Sequence, residues 1–380
     1  MTVNALRHPS SQSDKDAAAH QRAVRWDGPL HLEGTVGHFP VGKLPATVMD
    51  RLLRRRTFGD DRLILGPGVG LDCAVIEFGD RLLVAKSDPI TFATEDIGWY
   101  AVHINANDIA TTGALPRWFL ATLLLPEQRT DQAIIDSIFD QIERACADVG
   151  ATLVGGHTEI TAGLQRPIVA GTMLGEVKPN RLITPKGAKP GNHLLLTKGI
   201  PIEATSLLVR EVPGRLTAVP PSVIDRARAL LTEPGISVLA EASAAAGTGW
   251  VTGMHDPTEG GLAGGLWELS LAAGVGIEVE RSAIYVLPEA LTICNLLNVD
   301  PFAAIASGAL LIAVEADRAA EVIGAIQAKG VDVADIGLIT SGSGVSIRDG
   351  GNLKPLPRPE RDAIAAVIEN DPRGSRGQLT

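Results

Sequence analysis

The most regular pattern of apolar residues lies between Asp96 and Trp118. Apolar side chains recur there at three- and four-residue steps, at Trp99, Val102, Ala106, Ile109 and Ala110. This period predicts an amphipathic helix. Asp96 can serve as its N-cap by accepting a backbone N–H of the first turn. Gly113, followed by Pro116, predicts that the helix ends in a left-handed turn.

The polar side of this helix differs from that of a solvated helix, which usually carries Lys, Arg and Glu. It carries His103, Asn105, Asn107 and Asp108 instead. Side chains three or four residues apart lie on one face, so these four groups can face a ligand. A polar helix face at an oligomer interface explains the same residues equally well.

Apolar runs in the rest of the first half predict mainly strands. We expect helices at 44–56 and 130–149, and strands from residue 63 and at 73–78, 82–86, 118–125, 152–154 and 168–177. This order indicates an α+β fold with an antiparallel or mixed sheet. Several of these strands are apolar on both faces, so they need cover from another layer or another subunit.

A change in composition divides the chain. Residues 179–192 are rich in Pro, Gly and Lys, which is typical of a boundary between domains. We therefore expect a domain at 36–178, a linker at 179–192 and a second domain at 193–355, in which strands and helices alternate. Residues 1–35 are polar and aperiodic, which predicts a disordered extension, and 356–380 form a tail.

Charge and cysteine content restrict the classes of function. The 380-residue chain has a formal net charge of −10, which argues against broad binding to nucleic acid or to an anionic membrane. Its three cysteines, Cys73, Cys146 and Cys294, are far apart and form no C-x-x-C pair, as in proteins of a reducing compartment. With no signal-like or membrane-spanning apolar run, we expect a cytoplasmic protein.

Three aspartates lie at or beyond the end of the glycine-rich segment LILGPGVGLD at 63–72. Alternate glycines let a backbone approach a polyphosphate, and Gly68 and Gly70 are the candidates. Asp72 and Asp88 lie at strand margins and, with Asp108, form three carboxylates without a nearby basic partner. Gathered like charges are unfavourable unless a cation joins them, which indicates a magnesium site. Three separate surface aspartates in turns are the alternative.

Two further clusters place polar groups after glycine turns. GGHTE at 155–159 follows a short predicted strand and offers His, Thr and Glu, although it is also compatible with a simple turn. HDPTEGGL at 255–262 places two glycines at the start of a predicted helix, as in an anion-binding helix N-terminus. The alternative there is a helix capped by Asp256 or Thr258.

Together the motifs resemble those of a known family. They are GVGLDCAVI at 68–76, SDP at 87–89, NDIATTGALPRW at 107–118, GGHTE at 155–159, MHDPTEGGL at 254–262 and DPFAAIASGALLIAV at 300–314. In this order they resemble the aminoimidazole ribonucleotide (AIR) synthase, or PurM-like, superfamily over roughly residues 40 to 355. That superfamily includes thiamine-monophosphate kinase, selenophosphate synthetase and the hydrogenase maturation protein HypE, and the second half is most similar to HypE.

The resemblance implies a two-domain α+β fold. Its N-terminal domain would be ferredoxin-like and α/β, would bind ATP and Mg²⁺ and would dimerise through its sheet. Its C-terminal domain would be an α/β sandwich. The implied activity is an ATP- and Mg²⁺-dependent enzyme that phosphorylates, or activates with ATP, an oxygen of a small-molecule substrate. The implied partner is a second copy of the chain, with no nucleic acid and no membrane.

The resemblance also implies roles for individual residues. Catalytic roles fall on Asp108, Asn107 and His157. Mg²⁺ ligands fall on Asp72, Asp88, Asp108 and Asp256. Contacts to ATP fall on Gly68, Gly70, Asp88, Asn105, Gly155, Gly156, Thr158, Asp256, Gly260 and Gly261.

Three departures leave the reaction open. HypE proteins end in a cysteine that carries a carbamoyl group, whereas this sequence ends in RGQLT and its last cysteine is Cys294. Many members have two adjacent aspartates where this chain has Leu71 and Asp72. LDCAV and PRW resemble thiamine-monophosphate kinase, but the second half does not. A thiamine-monophosphate kinase-like enzyme and a nucleotide-binding maturation or scaffold protein without turnover are therefore the alternatives.

Overall fold

The computed structural model describes residue 39 and residues 41–53 and 59–370. The predicted extension at 1–35 and the last ten residues of the predicted tail lie outside them, as does the end of the first predicted helix. The first half contains α1 (Ala46–Leu53), β1 (Leu63–Leu65), β2 (Ala74–Phe78), β3 (Arg81–Ile90), α2 (Ile97–Thr111), β4 (Leu115–Pro126), α3 (Gln132–Val149), β5 (Thr152–Thr161) and β6 (Ile168–Val177).

The strands of the first half form one six-stranded sheet in the order β1-β2-β3-β6-β4-β5. Only β4 and β5 run parallel to each other; the other neighbours are antiparallel. The mixed sheet confirms the predicted fold class. In β6 every second residue is buried, as expected of a strand with one face against a core.

Helix α2 lies inside the molecule rather than on its surface. Fourteen of its fifteen residues are buried, and it contacts α3 as well as β3 and β6. Its polar side is therefore neither a solvated face nor an interface left open for another subunit. His103, for example, is 1% exposed and stacks against Trp99, with 4.2 Å between the ring centroids. Burial lowers the pKa of His103 to about 3, so the ring is neutral.

The two ends of α2 differ in how well the sequence predicted them. Gly113 has a φ of 74°, which confirms the left-handed turn after the helix. Asp96 does occupy the predicted N-cap position, but the predicted capping bond was wrong: Asp96 is left-handed, with φ 56°, and its side chain makes no capping hydrogen bond. Its carboxylate instead accepts a hydrogen bond from Arg210 Nε at 3.1 Å. A distant arginine thus replaces the local backbone partner.

Two strands are longer than predicted. β3 continues through Ser87, Asp88 and Pro89 instead of ending there. Proline is tolerated at position 89 because β2 pairs with β3 only as far as Ala85. At Pro89, β3 therefore has a neighbouring strand on the β6 side alone. β5 likewise continues through the predicted turn GGHTE. Gly156 is required there, since a Cβ would lie 1.8 Å from the carbonyl oxygen of Ala121 on β4.

The second half contains helices on both sides of a second sheet. Its elements are β7 (His193–Thr197), α4 (Ile202–Glu211), α5 (Pro221–Ala229), α6 (Leu239–Thr248), β8 (Val251–His255), α7 (Gly261–Ala273), β9 (Gly276–Glu280), α8 (Pro288–Leu297), β10 (Leu311–Val314), α9 (Ala319–Gln327), β11 (Val333–Thr340), β12 (Gly344–Asp349), β13 (Asn352–Pro355) and α10 (Ala365–Glu369). The seven strands are ordered β13-β12-β9-β11-β7-β10-β8.

Strand β7 contributes residues to two hydrophobic cores, one on each face of this sheet. Leu194 and Leu196 belong to the core that contains α7, whereas Leu195 belongs to the core that contains α6 and α9. Successive residues of a strand point to opposite faces, so helices cover both sides of the sheet. This confirms the α/β sandwich predicted for the second half. The boundaries at 178/179 and 192/193 remain predictions.

The three cysteines are buried and free of disulfide bonds. In the part of the chain that the structure describes, no helix combines the length and the hydropathy needed to cross a bilayer.

Candidate active site

The predicted carboxylates come from four separate elements. Asp72 lies in the loop between β1 and β2, and Asp88 lies within β3. Asp108 is in the last turn of α2, and Asp256 immediately follows β8. Their charges act on one another: burial raises the pKa of Asp108 well above its usual value, and the carboxylates of Asp256, Asp72 and Asp88 add to this shift. The fold therefore gathers in one place the four residues that the sequence assigned to Mg²⁺.

His255 connects Asp72 to the second half. Its Nδ1 donates to Asp72 Oδ2 at 2.8 Å, and its Nε2 donates to Glu268 Oε2 at 3.0 Å. Burial alone would lower the pKa of His255, but the two carboxylates raise it well above its usual value. The ring is therefore an imidazolium that donates on both sides. Burial would raise the pKa of Asp72, yet His255 holds it below its usual value.

Asp256 is the residue with the least satisfied carboxylate. It is 1% exposed, and neither of its oxygens has a hydrogen-bond partner among the described residues. Burial, followed by the charge of Asp72, raises its pKa to about 7. Ligand atoms of Asp72, His255 and Asp256 lie within 4.8 Å of one another. Because both His255 nitrogens donate to carboxylates, the two aspartates are the members of this group that can bind a cation.

The prediction of no basic partner was wrong. Lys86 Nζ lies 3.2 Å from Asp108 Oδ2 and 3.5 Å from Asp88 Oδ2, and its side chain is only 16% exposed. Burial would lower the pKa of Lys86, but Asp108 and Asp88 raise it well above its usual value. The period of the strand contained the signal, because Lys86 and Asp88 are two residues apart and so share a face of β3.

Lys43, in the segment before α1, also reaches the cluster. Its ammonium donates to Thr258 Oγ1 at 2.8 Å and lies 3.2 Å from Glu259 Oε2 and 3.9 Å from Glu268 Oε1. Its side chain is 48% exposed, so it lies at the mouth of the cluster rather than inside it. Sequence reasoning missed it, because nothing in the local pattern at VGKLP links residue 43 to residues 258–268.

The acidic cluster carries more negative than positive charge. Six carboxylates, of Asp72, Asp88, Asp108, Asp256, Glu259 and Glu268, surround three cationic groups, of Lys43, Lys86 and His255. Both oxygens of Asp256 lack hydrogen-bond partners among the described residues, whereas Asp108 Oδ2 forms the ion pair with Lys86. Mg²⁺ prefers carboxylate oxygens, and a bound dication would offset most of this excess. The residues present therefore fit a magnesium ion held by Asp72, Asp108 and Asp256.

The glycine-rich loop packs against a helix. A Cβ at Gly70 would lie 2.4 Å from the carbonyl oxygen of Glu268 on α7, and one at Gly68 would lie 2.7 Å from the Leu71 side chain. Gly70 also has a φ of 74°, which favours glycine. These contacts explain both glycines without a phosphate, so the predicted approach to ATP remains a prediction.

The start of α7 is occupied by a carboxylate of the chain itself. Gly260 N donates to Asp362 Oδ2 at 2.8 Å, so Asp362 occupies the position predicted for an anion. Neither predicted cap, Asp256 or Thr258, makes a capping hydrogen bond there. Gly261 is needed for packing, because a Cβ there would lie 2.5 Å from the carbonyl oxygen of Ala304. Asp362 lies in the predicted tail, and the sequence offered no signal for it.

The two asparagines of α2 have different positions. Asn107 donates from Nδ2 to the Ile236 carbonyl at 2.7 Å and accepts at Oδ1 from Val238 N at 2.9 Å. Its side chain thus joins α2 to residues 236–238, and its role in the reaction remains a prediction. Asn105 Nδ2 donates to the Asp88 carbonyl at 3.2 Å, which places it beside the cluster.

The GGHTE segment lies apart from the acidic cluster within one chain. Gly155, Gly156, His157 and Thr158 are exposed on β5, the outermost strand of the first sheet. The His157 ring forms a hydrogen bond with Glu159 on the same strand, with 3.2 Å between Nε2 and Oε2. One chain by itself does not bring these four predicted residues to the carboxylates, so their roles remain predictions.

Comparison with known proteins identifies the family. The AIR synthase related protein N-terminal domain matches residues 70–177, and the AIR synthase related protein C-terminal domain matches residues 189–350. The chain is 28% identical over 264 residues to the carbamoyl dehydratase HypE of Rhodobacter capsulatus, covering 68% of this chain and 74% of that protein.

One further relative and one solved structure of similar fold have names other than HypE. A selenide, water dikinase of Geobacter metallireducens is 29% identical over 252 residues, covering 63% of this chain and 68% of that protein. A solved structure described as AaThiL complexed with AMPPCP and TMP superposes with a TM-score of 0.65 at 18% identity, covering 83% of this chain and 94% of that one. The matched domains span most of the chain, which therefore belongs to the AIR synthase related protein family.

Proposed function

We propose that this protein is an ATP- and Mg²⁺-dependent enzyme that phosphorylates, or activates with ATP, an oxygen of a small metabolite. The observation that carries the proposal is the buried Asp256 carboxylate, with both oxygens unpartnered beside Asp72. Two names support it: one relative is a selenide, water dikinase, and a solved structure of similar fold was determined with AMPPCP, an ATP analogue.

The residues of the cluster divide the work of such a reaction. Bound Mg²⁺ would neutralise phosphate charge as it develops during transfer. Asp72, Asp108 and Asp256 supply the oxygens that hold it. His255 keeps Asp72 ionised and orients its carboxylate through the 2.8 Å hydrogen bond. Lys43 is half exposed at the mouth of the cluster. Its ammonium can leave Glu259 and bind a phosphate oxygen instead, so it supplies a positive charge to the phosphate without the movement of any buried group.

Cys294 does not support a thiol-carrier role. It is fully buried in α8, and burial raises its pKa to about 12, so the thiolate needed for a group carrier is scarce at neutral pH. We therefore do not assign the reaction of HypE, the carbamoyl dehydratase, to this chain. A thiamine-monophosphate kinase-like reaction remains an alternative.

A nucleotide-binding protein without turnover is the second candidate. It is favoured by Lys86, whose ammonium already neutralises Asp88 and Asp108, two of the carboxylates predicted to bind metal. A single-turnover assay of ADP release separates the candidates. The substrate panel should include thiamine monophosphate and formylglycinamidine ribonucleotide. An enzyme releases stoichiometric ADP with one substrate of the panel, whereas a scaffold binds ATP and releases none with any.

Nucleotide binding should depend on a divalent cation, because the excess negative charge of the cluster repels a polyphosphate. We expect a non-hydrolysable ATP analogue to bind at least about tenfold more weakly in EDTA than with Mg²⁺, a loss of about 1.4 kcal/mol. Isothermal titration calorimetry measures both affinities. Equal affinities under the two conditions would show that the carboxylates do not form a metal site.

We further propose that two copies of the chain form a homodimer through the first sheet. β5 is an edge strand of ten residues on which Val154 and Ile160 are 51% and 55% exposed. Long apolar edges are normally covered in native proteins. A second copy would also offer the exposed His157 and Thr158 a neighbour that one chain lacks.

Light scattering should therefore give twice the chain mass of 39.8 kDa at micromolar concentration. Ile160→Asp places a charge in the proposed contact and should shift the protein toward the monomer. Leu353→Asp, at an exposed edge position in the second sheet, is the matched control and should leave the mass unchanged. A wild-type protein that scatters as a monomer would exclude the dimer.

A further inference from the structure

A small recess opens beside the acidic cluster. Asp88, Thr258 and Glu259 line its rim, and Glu203 and Ser307 line it as well. Its volume is about 30 Å³, which is enough for one or two waters or for one small terminal group of a ligand. The recess is thus continuous with the candidate active site and too narrow for a ring.

Glu203 and Ser307 are buried side by side in this recess. Glu203 is 4% exposed and Ser307 fully buried, the Ser307 hydroxyl donates to the Glu203 carboxyl group, and Glu203 Oε2 has no hydrogen-bond partner among the described residues. Their positions are set by the backbone, since Ala204 N donates to the Ile305 carbonyl at 3.0 Å. Buried polar groups are nearly always hydrogen-bonded, so the remaining Glu203 oxygen indicates a missing ligand atom.

The surroundings of Glu203 select the charge of that ligand. Burial raises its pKa to about 8; the hydrogen bond from Ser307 lowers it, and the neighbouring carboxylates of Glu259, Asp362 and Asp88 raise it. Such a field repels anions and attracts cations. Apart from Thr91, the other walls are apolar, with Ile90, Phe92, Ile104 and Ile305 among them. The recess therefore suits a small group with N–H donors and a positive charge on a short apolar stem.

We propose that Glu203 and Ser307 bind a cationic nitrogen group, an amine or an amidine, of the small metabolite on which the enzyme acts. The Glu203 carboxylate accepts N–H hydrogen bonds from this group, and Ser307 Oγ accepts another. This inference rests on the proposed function, because it places the metabolite next to the carboxylates that would hold Mg²⁺. It narrows the substrate class to metabolites that carry such a nitrogen near the reacting oxygen.

Three probes of almost equal shape test the charge preference. Acetamidinium, acetamide and acetate are titrated at millimolar concentrations into the full-length protein with Mg²⁺ and a non-hydrolysable ATP analogue, and saturation-transfer NMR measures binding. We expect acetamidinium to saturate, acetamide to bind at least about tenfold more weakly, and acetate not to bind. Equal binding of the three probes, or binding of none, would overturn the proposal; the latter would mean that the recess holds only water.

Glu203→Gln keeps the shape of the side chain and removes its ability to become a carboxylate. We expect it to weaken acetamidinium binding at least about tenfold. Wild type should also release close to one proton per acetamidinium bound at pH 7, because Glu203 ionises on binding, and the variant should release none. Calorimetry in two buffers of different ionisation enthalpy measures this release. Unchanged affinity and proton release in Glu203→Gln would overturn the proposal.

Glu211→Gln is the matched control on the same helix. Glu211 Oε1 accepts from Thr94 N at 2.6 Å, outside the recess, so this variant should bind acetamidinium like wild type. Each sample is also titrated with the ATP analogue alone. If wild type does not bind the ATP analogue, the proposed function is refuted. If wild type binds the ATP analogue but shows no preference for acetamidinium, only the role of Glu203 is refuted.

Discussion

Asp256→Asn is expected to remove most of the stabilisation that Mg²⁺-ATP gives to the protein. Asp256 is fully buried beside Asp72, and its two oxygens are the best-placed free ligands in the cluster. At a ligand concentration of one hundred times Kd, binding stabilises the folded state by about 2.7 kcal/mol. The variant should lose the larger part of this amount. Thermal melts with and without Mg²⁺-ATP measure the effect.

The melt without ligand distinguishes ligation from packing. Burial already disfavours the ionised Asp256, since its pKa is raised to about 7. The neutral variant should therefore melt at the same temperature as wild type or slightly higher when no ligand is present. Asp317→Asn, with a side chain 80% exposed, is the control and should change neither melt. A lower melting temperature without ligand and an unchanged ligand-induced shift would assign Asp256 a structural role.

His255→Ala is expected to destabilise the protein by about 3 kcal/mol, because it leaves Asp72 and Glu268 without their shared partner. These two side chains are only 18% and 17% exposed, so water solvates them poorly. Urea denaturation at pH 5.5 measures the loss of unfolding free energy. His193→Ala is the matched control: its ion pair with Asp335 is about one-third exposed, and its loss should cost less than about 1 kcal/mol.

The contribution of His255 should depend on pH in a defined direction. Its folded-state pKa is raised, so its contribution is complete below the ordinary value of 6.5 and declines as the pH rises through the folded-state value. Asp72 has a lowered pKa, so its contribution is complete above 3.8. The difference between wild type and His255→Ala should be largest between these values and smaller at pH 9. A difference that grows with pH would show that the ring is not charged.

The pattern of residues alone determined much of the fold. The apolar run of β6 and the turn at Gly113 required only short-range physics, and β6 has the predicted bounds. Asp72, Asp88 and Asp108 were identified as three carboxylates gathered at and beyond a glycine-rich segment, and Asp256 was added through the resemblance to the family. Elements without such local signals were missed, among them α8 and β13.

Only the tertiary structure decided which charges meet. Lys43 approaches Glu259 across more than two hundred residues of chain, and Asp362 takes the start of α7 from the far end of the second half. The same holds for Asn107, whose amide binds residues 236 and 238. A local pattern shows which side chains can bind an ion or a backbone group. Which partner they find depends on long-range packing, because burial brings distant groups together and excludes the water that would otherwise satisfy them.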